Sequence, residues 1–247
     1  MSEPLEQLPP EPAPPEPAPY PFWTWEDVMI FFGMGLPCLV LSVVVMEAAA
    51  WLLPLPKDGA FKLLGAQLIG YLLWFGALVL LLRLRYEAPF WESLAWFWPR
   101  EGFWRSIFQG PMLAFAIAWL GLFLQTPAIE MPFTKLLSDP VSIALIGVFA
   151  TTVGPVCEEL AFRGFLMPLL NQKFGVWGGI LMAAAPFALL HGPQYAWSWR
   201  HLILLVLAGA AFGRVRHITG STAAATLTHA TYNLTFFSAF LVTQSKL

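Results

Sequence analysis

Six residues, Glu158-Glu159-Leu160-Ala161-Phe162-Arg163, put two adjacent carboxylates and a guanidinium into a run, Val141 to Leu170, where nearly everything else is apolar or small. A charged side chain at the centre of a bilayer costs about 2.5–3.5 kcal/mol on insertion scales. Three of them facing lipid would therefore cost on the order of 8–10 kcal/mol. The cluster has to turn inward, toward partners or water, and an ionisable group so placed is a functional-site hypothesis by default.

Composition supports the premise that this is membrane sequence. Of 247 residues, 58% are hydrophobic and 11% charged, with a mean hydropathy of +0.66. A soluble domain carries about 25% charge, so the fold class expected is all-α, a polytopic transmembrane bundle with a polar intramembrane cavity. The net charge of -2 argues neither for nor against nucleic acid, no basic block suggests it, and no nucleic-acid partner is expected. Cys38 and Cys157 lie in apolar helical stretches, without CxxC or Cys/His spacing, so each reads as a small hydrophobe.

The chain divides into three parts. Residues 1–26 form an expected disordered Pro-rich tail: nine prolines fall between positions 4 and 21, and no Lys or Arg provides the basic region of a cleavable signal. Residues 27–139 hold N-terminal transmembrane helices and an interfacial segment, and residues 140–242 hold a transmembrane core that carries the charged cluster. Apolar windows of about 20 residues predict seven spans, at 28–53, 61–82, 104–125, 141–156, 177–191, 201–216 and 221–242. Thr24 and Asp27 make a capping-box pattern at the first, with Phe22, Trp23 and Trp25 suited to an aromatic belt. The stretch 83–103 reads as interfacial. The fourth span passes Gly154-Pro155 and continues beyond Glu158 or restarts there. Gly209 and Gly213 form a small-xxx-small pair for close helix contact.

Orientation follows from the basic residues. With the N-terminus inside, Arg83, Arg85, Arg100, Arg105, Arg163, Lys173, Arg214 and Arg216 fall inside, against Lys57, Lys62, Lys135, Arg200 and Lys246 outside. Eight against five favours the N-terminus inside.

Three constellations carry possible chemistry. Glu159 and Arg163 are spaced i, i+4 in the favourable ion-pair order. Glu158 lies about 100° around the helix, so one carboxylate is paired while its neighbour is free to work. Phe187 and His191 repeat the i, i+4 spacing, as do His229 and Asn233. A histidine and an amide on one face can direct donors at one developing negative charge; the plain alternative is an interhelical hydrogen bond. His201 and His217 sit beside arginines at span boundaries and read as headgroup residues, while Asp58, Glu130 and Asp139 read as loop residues. A carboxylate in low dielectric is a stronger base than one in water. Base, water and oxyanion donors together describe amide hydrolysis. Neither G-x-S-x-G nor HExxH occurs.

These residues, Glu-Glu-x-x-x-Arg at 158–163, Phe-x-x-x-His at 187–191 and His-x-x-x-Asn at 229–233, resemble the CPBP family (CAAX proteases and bacteriocin-processing enzymes, also called the Abi family). The likeness covers about residues 140–240. It implies an intramembrane endopeptidase of the glutamic, CAAX protease-like type. Glu158 and His191 would activate water, His229 and Asn233 would line the oxyanion site, and Glu159, Arg163 and Phe187 would support it. The implied partners are a peptide or membrane-protein substrate and the lipid bilayer, in a multi-pass protein of the bacterial inner membrane. No cofactor is expected, although Glu158, His191 and His229 offer a two-His, one-carboxylate set for zinc. The alternative is a non-catalytic immunity or scaffold protein of the same family; a transporter is weaker, because no internal repeat is visible.

Overall fold

The computed structural model describes residues 19–56, 59–99, 102–129, 132–137 and 139–244. Among them there is no strand, and the all-helical expectation holds. The principal helices are α1 (Trp25–Leu52), α2 (Gly59–Tyr86), the short α3 (Phe90–Ser93), α4 (Phe103–Phe123), α5 (Pro140–Thr151), α6 (Val153–Glu159), α7 (Met167–Leu190), α8 (Trp199–Thr219) and α9 (Thr222–Gln244). A π-helical turn, Leu160–Leu166, joins α6 to α7.

Five stretches are long and apolar enough to cross a membrane: α1, α2, α4, the 51-residue run Pro140–Leu190, and α8. At 1.5 Å per residue the fourth would be about 76 Å long if straight, more than twice a hydrocarbon core. It doubles back at Gly175, whose φ of 72° and ψ of 170° break the helix. A side chain there would be strained, so glycine lets one apolar run make two passes. Helix α9 is not among the five. Its hydroxyls explain how it is nevertheless buried: Thr226, Thr228, Thr231 and Thr235 each donate to the carbonyl four residues earlier. The polar atoms are satisfied within the helix.

Contacts between helix ends establish an up-and-down order. The capping box of Thr24 and Asp27 is present as expected. The Asp27 carboxylate also accepts from Arg85 Nη1 at 2.8 Å and from the Tyr86 hydroxyl at 2.5 Å, tying the start of α1 to the end of α2. Lys173 lies over the Trp25 ring at 5.8 Å, and Arg216 near the end of α8 donates to the Tyr20 hydroxyl at 3.1 Å. Burial pushes the Tyr20 phenol above its ordinary range, against the opposing pull of Arg216. At the opposite end, Arg200 on the first turn of α8 donates to the Gln125 carbonyl just past α4. Among the described residues, Arg83, Arg85, Arg105, Lys173, Arg214 and Arg216 therefore share one end, and Lys62, Lys135 and Arg200 the other.

Several expectations change. The Pro-rich run 1–18 lies outside the described residues, as do Lys57, Asp58, Arg100, Glu130 and Lys246. Residues 19–24, expected in the tail, pack instead: Trp23 is 2% exposed, stacks on Phe165 at 5.2 Å and donates Nε1–H to the Phe165 carbonyl. It belongs to the core, not to an interfacial belt. Arg163 is fully buried and Arg216 nearly so, so neither is a loop charge. The break before Glu158 falls at Thr152 (φ -130°, ψ -76°), not at Pro155. Asp139 caps α5, accepting from the Val141 and Ser142 amides. The stretch after Tyr86 docks on α9: Thr222 Oγ1 donates to the Leu94 carbonyl and its amide to Ala95.

Gly175→Ala forces a Cβ into a region that only glycine occupies readily, at a cost of about 1–3 kcal/mol. Its thermal midpoint in detergent should fall below wild type. Gly33→Ala, in mid-α1 with nothing within 4 Å of the added carbon, should leave the midpoint unchanged or raise it.

Candidate active site

The π-helical turn is the local device that sets the site. All seven of its residues are buried, and it joins the helix carrying both glutamates to α7. Such wide turns insert an extra residue per turn and recur at functional sites. Arg163, within it, reaches back to Glu159: Nη1 lies 3.0 Å from Oε1, and both side chains are completely buried. The paired-carboxylate expectation is met.

A buried ion pair needs further hydrogen bonds to offset its desolvation. Arg163 finds them across the bundle. Its Nη2 donates to the Gly209 carbonyl on α8 at 2.7 Å, and its guanidinium lies over the rings of Phe187 (4.7 Å) and Phe212 (5.5 Å). A Cβ on Gly209 would stand 3.0 Å from Arg163 Nη2 and 3.1 Å from Phe187. The small-residue pair on α8 thus allows the arginine in, as well as letting helices touch.

Glu159 has a second partner that local spacing does not reveal. His229 Nδ1, contributed by α9, lies 2.9 Å from the same Oε1. A carboxylate paired with Arg163 can only accept, so this Nδ1 is assigned the proton. The other ring nitrogen, Nε2, faces Glu158 Oε2 at 3.7 Å. One imidazole therefore stands between two carboxylates in different settings. The Glu159 side chain has no exposure, whereas that of Glu158 keeps 25%. Phe212 stacks on the His229 ring at 4.3 Å and fixes its plane.

His191 caps α7. Its Nδ1 is 2.8 Å from the Phe187 carbonyl, which again assigns the proton to Nδ1 and leaves Nε2 as an acceptor. The buried Phe187 ring touches His191 at 4.7 Å and His229 at 5.8 Å. His191 thus joins the group through Phe187, and the imidazole facing Glu158 is that of His229. Asn233 Nδ2 donates to the Ala150 carbonyl at 2.8 Å. One amide hydrogen is spent holding the end of α5, and the second remains.

Among the described residues, no three His, Cys, Asp or Glu side chains are grouped to hold one metal ion. Cys157 is a free, half-buried thiol and Cys38 a buried one. His201 stacks on Tyr195 and His217 is exposed, both away from this cluster. Phe212, the Gly209 carbonyl and the Glu159–His229 bond are the members that sequence patterns do not expose. The first two sit in an apolar span where nothing distinguishes them, although Gly209 stood out as a small residue.

The fold and the site together define a polytopic helical membrane protein with a buried carboxylate–imidazole centre. Residues 140–235 match the family model described as Rce1-like, type II CAAX prenyl endopeptidase Rce1-like, and over this span the likeness to the CPBP family is shown. The kind of function that match carries is that of a CAAX-type intramembrane protease. It spans α5 through most of α9, the stretch bearing every member of the carboxylate–imidazole cluster, and leaves out α1 to α4. No curated protein and no solved structure matches the chain.

Removing one member of a buried ion pair costs about 3–5 kcal/mol, because the other charge is left uncompensated. Arg163→Met should therefore lower the unfolding midpoint strongly, and Glu159→Gln combined with Arg163→Met should recover part of the loss. A double variant no more stable than Arg163→Met alone would show that the charge on Glu159 is not what Arg163 balances.

Proposed function

We propose that the protein is an intramembrane endopeptidase in which Glu158 activates the attacking water. What supports this reading above all is the Glu158 carboxylate, partly exposed, facing His229 across a gap too wide for a hydrogen bond. An oxygen beside the two atoms, of a water or of a reacting carbonyl, comes within hydrogen-bond reach of both. Glu158 takes the water's proton as its oxygen attacks the scissile carbonyl carbon. The charge that develops on the carbonyl oxygen meets His229 as the imidazolium, its Nδ1–H held by buried Glu159 and its Nε2–H turned to that oxygen. The remaining N–H of Asn233 is the second donor on the same face of α9. His191, with Nδ1–H tied to a backbone carbonyl, offers Nε2 to orient the water. When the tetrahedral intermediate collapses, the proton held by Glu158 passes to the departing amine.

Glu159 and Arg163 hold this apparatus without touching the substrate. Preorganised polar groups in a dry setting act more strongly than the same groups in water. The substrate is a peptide or membrane protein cut near the bilayer surface, and the reaction draws on protein groups alone, with no metal. The basic end, where α1 begins, faces the cytoplasm of a bacterial inner membrane.

Glu158→Gln and His229→Ala should each reduce turnover by about 10²–10⁴-fold, the range for a positioned acid–base group, while the protein stays folded in the membrane. Peptidomics of membranes carrying wild type or Glu158→Ala should reveal products present only with the former. Full cleavage by Glu158→Gln would remove its assignment as base. Unaltered peptides with well-folded wild type would favour a scaffold or immunity role. Chelation should leave activity intact, and loss restored by zinc alone would overturn the metal-free mechanism.

A further inference from the structure

A cavity lined by apolar and basic side chains lies at the basic end, between the first turns of α4 and the last turns of α8. Its volume is about 410 Å³, and Arg105 and Gln109 from α4 line it with Arg214 and Thr219 from α8. No carboxylate lines it, and among the described residues neither Arg105 nor Arg214 has a carboxylate partner. Two exposed guanidiniums from different helices thus line one space with no counter-charge among its described lining residues, a setting that attracts an anion. Gln109 and Thr219 add neutral donors, and Gly102 starts α4 without a side-chain cap, leaving backbone N–H groups at the rim.

The cavity is separate from the carboxylate–imidazole centre, because α9 stands between them. Thr228 turns toward α4, its hydroxyl donating to the Ser106 carbonyl, and Ser106 lines the cavity. His229, the next residue, points the other way, at Glu158 and Glu159. The surroundings belong at a headgroup level: Trp98, Trp104 and Ile218 are all more than half exposed.

We propose that this cavity binds a phosphate-bearing anion, with Arg105 and Arg214 gripping the phosphate oxygens from two sides. Guanidinium forks match phosphate in charge and in bidentate geometry. The phosphate comes from an anionic phospholipid headgroup or from free phosphate in solution. Either one clamps the start of α4 to the end of α8 through ionic contacts, where the two helices otherwise present like charges.

The test uses the full chain in nanodiscs of phosphatidylcholine, with or without phosphatidylglycerol, and in neutral detergent with or without inorganic phosphate. Thermal unfolding and native mass spectrometry read out stabilisation and retained lipid. A phosphatidylglycerol-dependent rise in midpoint, with that lipid retained, identifies the headgroup as the source; a rise with inorganic phosphate alone identifies the free anion. In either case Arg105→Gln and Arg214→Gln should each weaken binding roughly five-fold, as expected for one basic residue at an anionic surface. The double variant should lose the preference while unfolding normally in phosphatidylcholine. Arg83→Gln, at the same end but outside the cavity, should behave as wild type. No response to either phosphate source, an unchanged preference in the double variant, or an equal loss in Arg83→Gln would overturn the proposal.

Discussion

The buried pair of Glu159 and Arg163 is the contact on which the other inner contacts of the core depend. Neither side chain has any exposure, so each charge needs an opposite within reach. The carboxylate serves two partners, Arg163 along its own helix and His229 from α9. The guanidinium serves two as well, Glu159 and the Gly209 carbonyl on α8. Three stretches of chain are thereby joined at one point by groups that cannot be left alone. Apolar helices in lipid gain little by touching one another, so these polar requirements fix which helix faces which.

Aromatic rings complete what the charges begin. Phe187 is in contact with Arg163, His191 and His229, meeting the last near a right angle, and Phe212 stacks on the His229 imidazole. On the far side of the π-helical turn, Phe165 packs between Trp23 and Phe31, and Phe31 stacks on Trp74 of α2 at 4.5 Å. The N-terminal helices, outside the matched family region, brace the turn that carries Arg163. Their contribution is to hold the backbone of the site in place.

The all-helical class and most span centres were legible in the sequence, because a bilayer imposes length and polarity on anything that crosses it. The Glu159–Arg163 pair was equally legible, since four residues of helix define the distance. What escaped depends on rotations that no local rule sets. The choice of Glu159 rather than Glu158 as the partner of His229 Nδ1 rests on how α9 turns against α6. Seven spans were expected, whereas five stretches are long and apolar enough to cross; the expected fourth and fifth fall in one run, Pro140–Leu190, broken at Gly175. Trp23 was misjudged for a related reason: indole suits an interface and a core alike, and its partner Phe165 lies 142 positions away.

The threonine-rich character of α9 bears on when the inner contacts of the molecule are completed. A segment carrying so many hydroxyls, an imidazole and a carboxamide enters lipid weakly alone and gains most when an acidic neighbour is already waiting. His229 meets Glu159 across 70 positions of chain, so nascent protein holds its carboxylates and arginine first and its second imidazole last. During biosynthesis the acidic and basic partners enter the membrane before His229 does, and the docking of α9 completes their contacts.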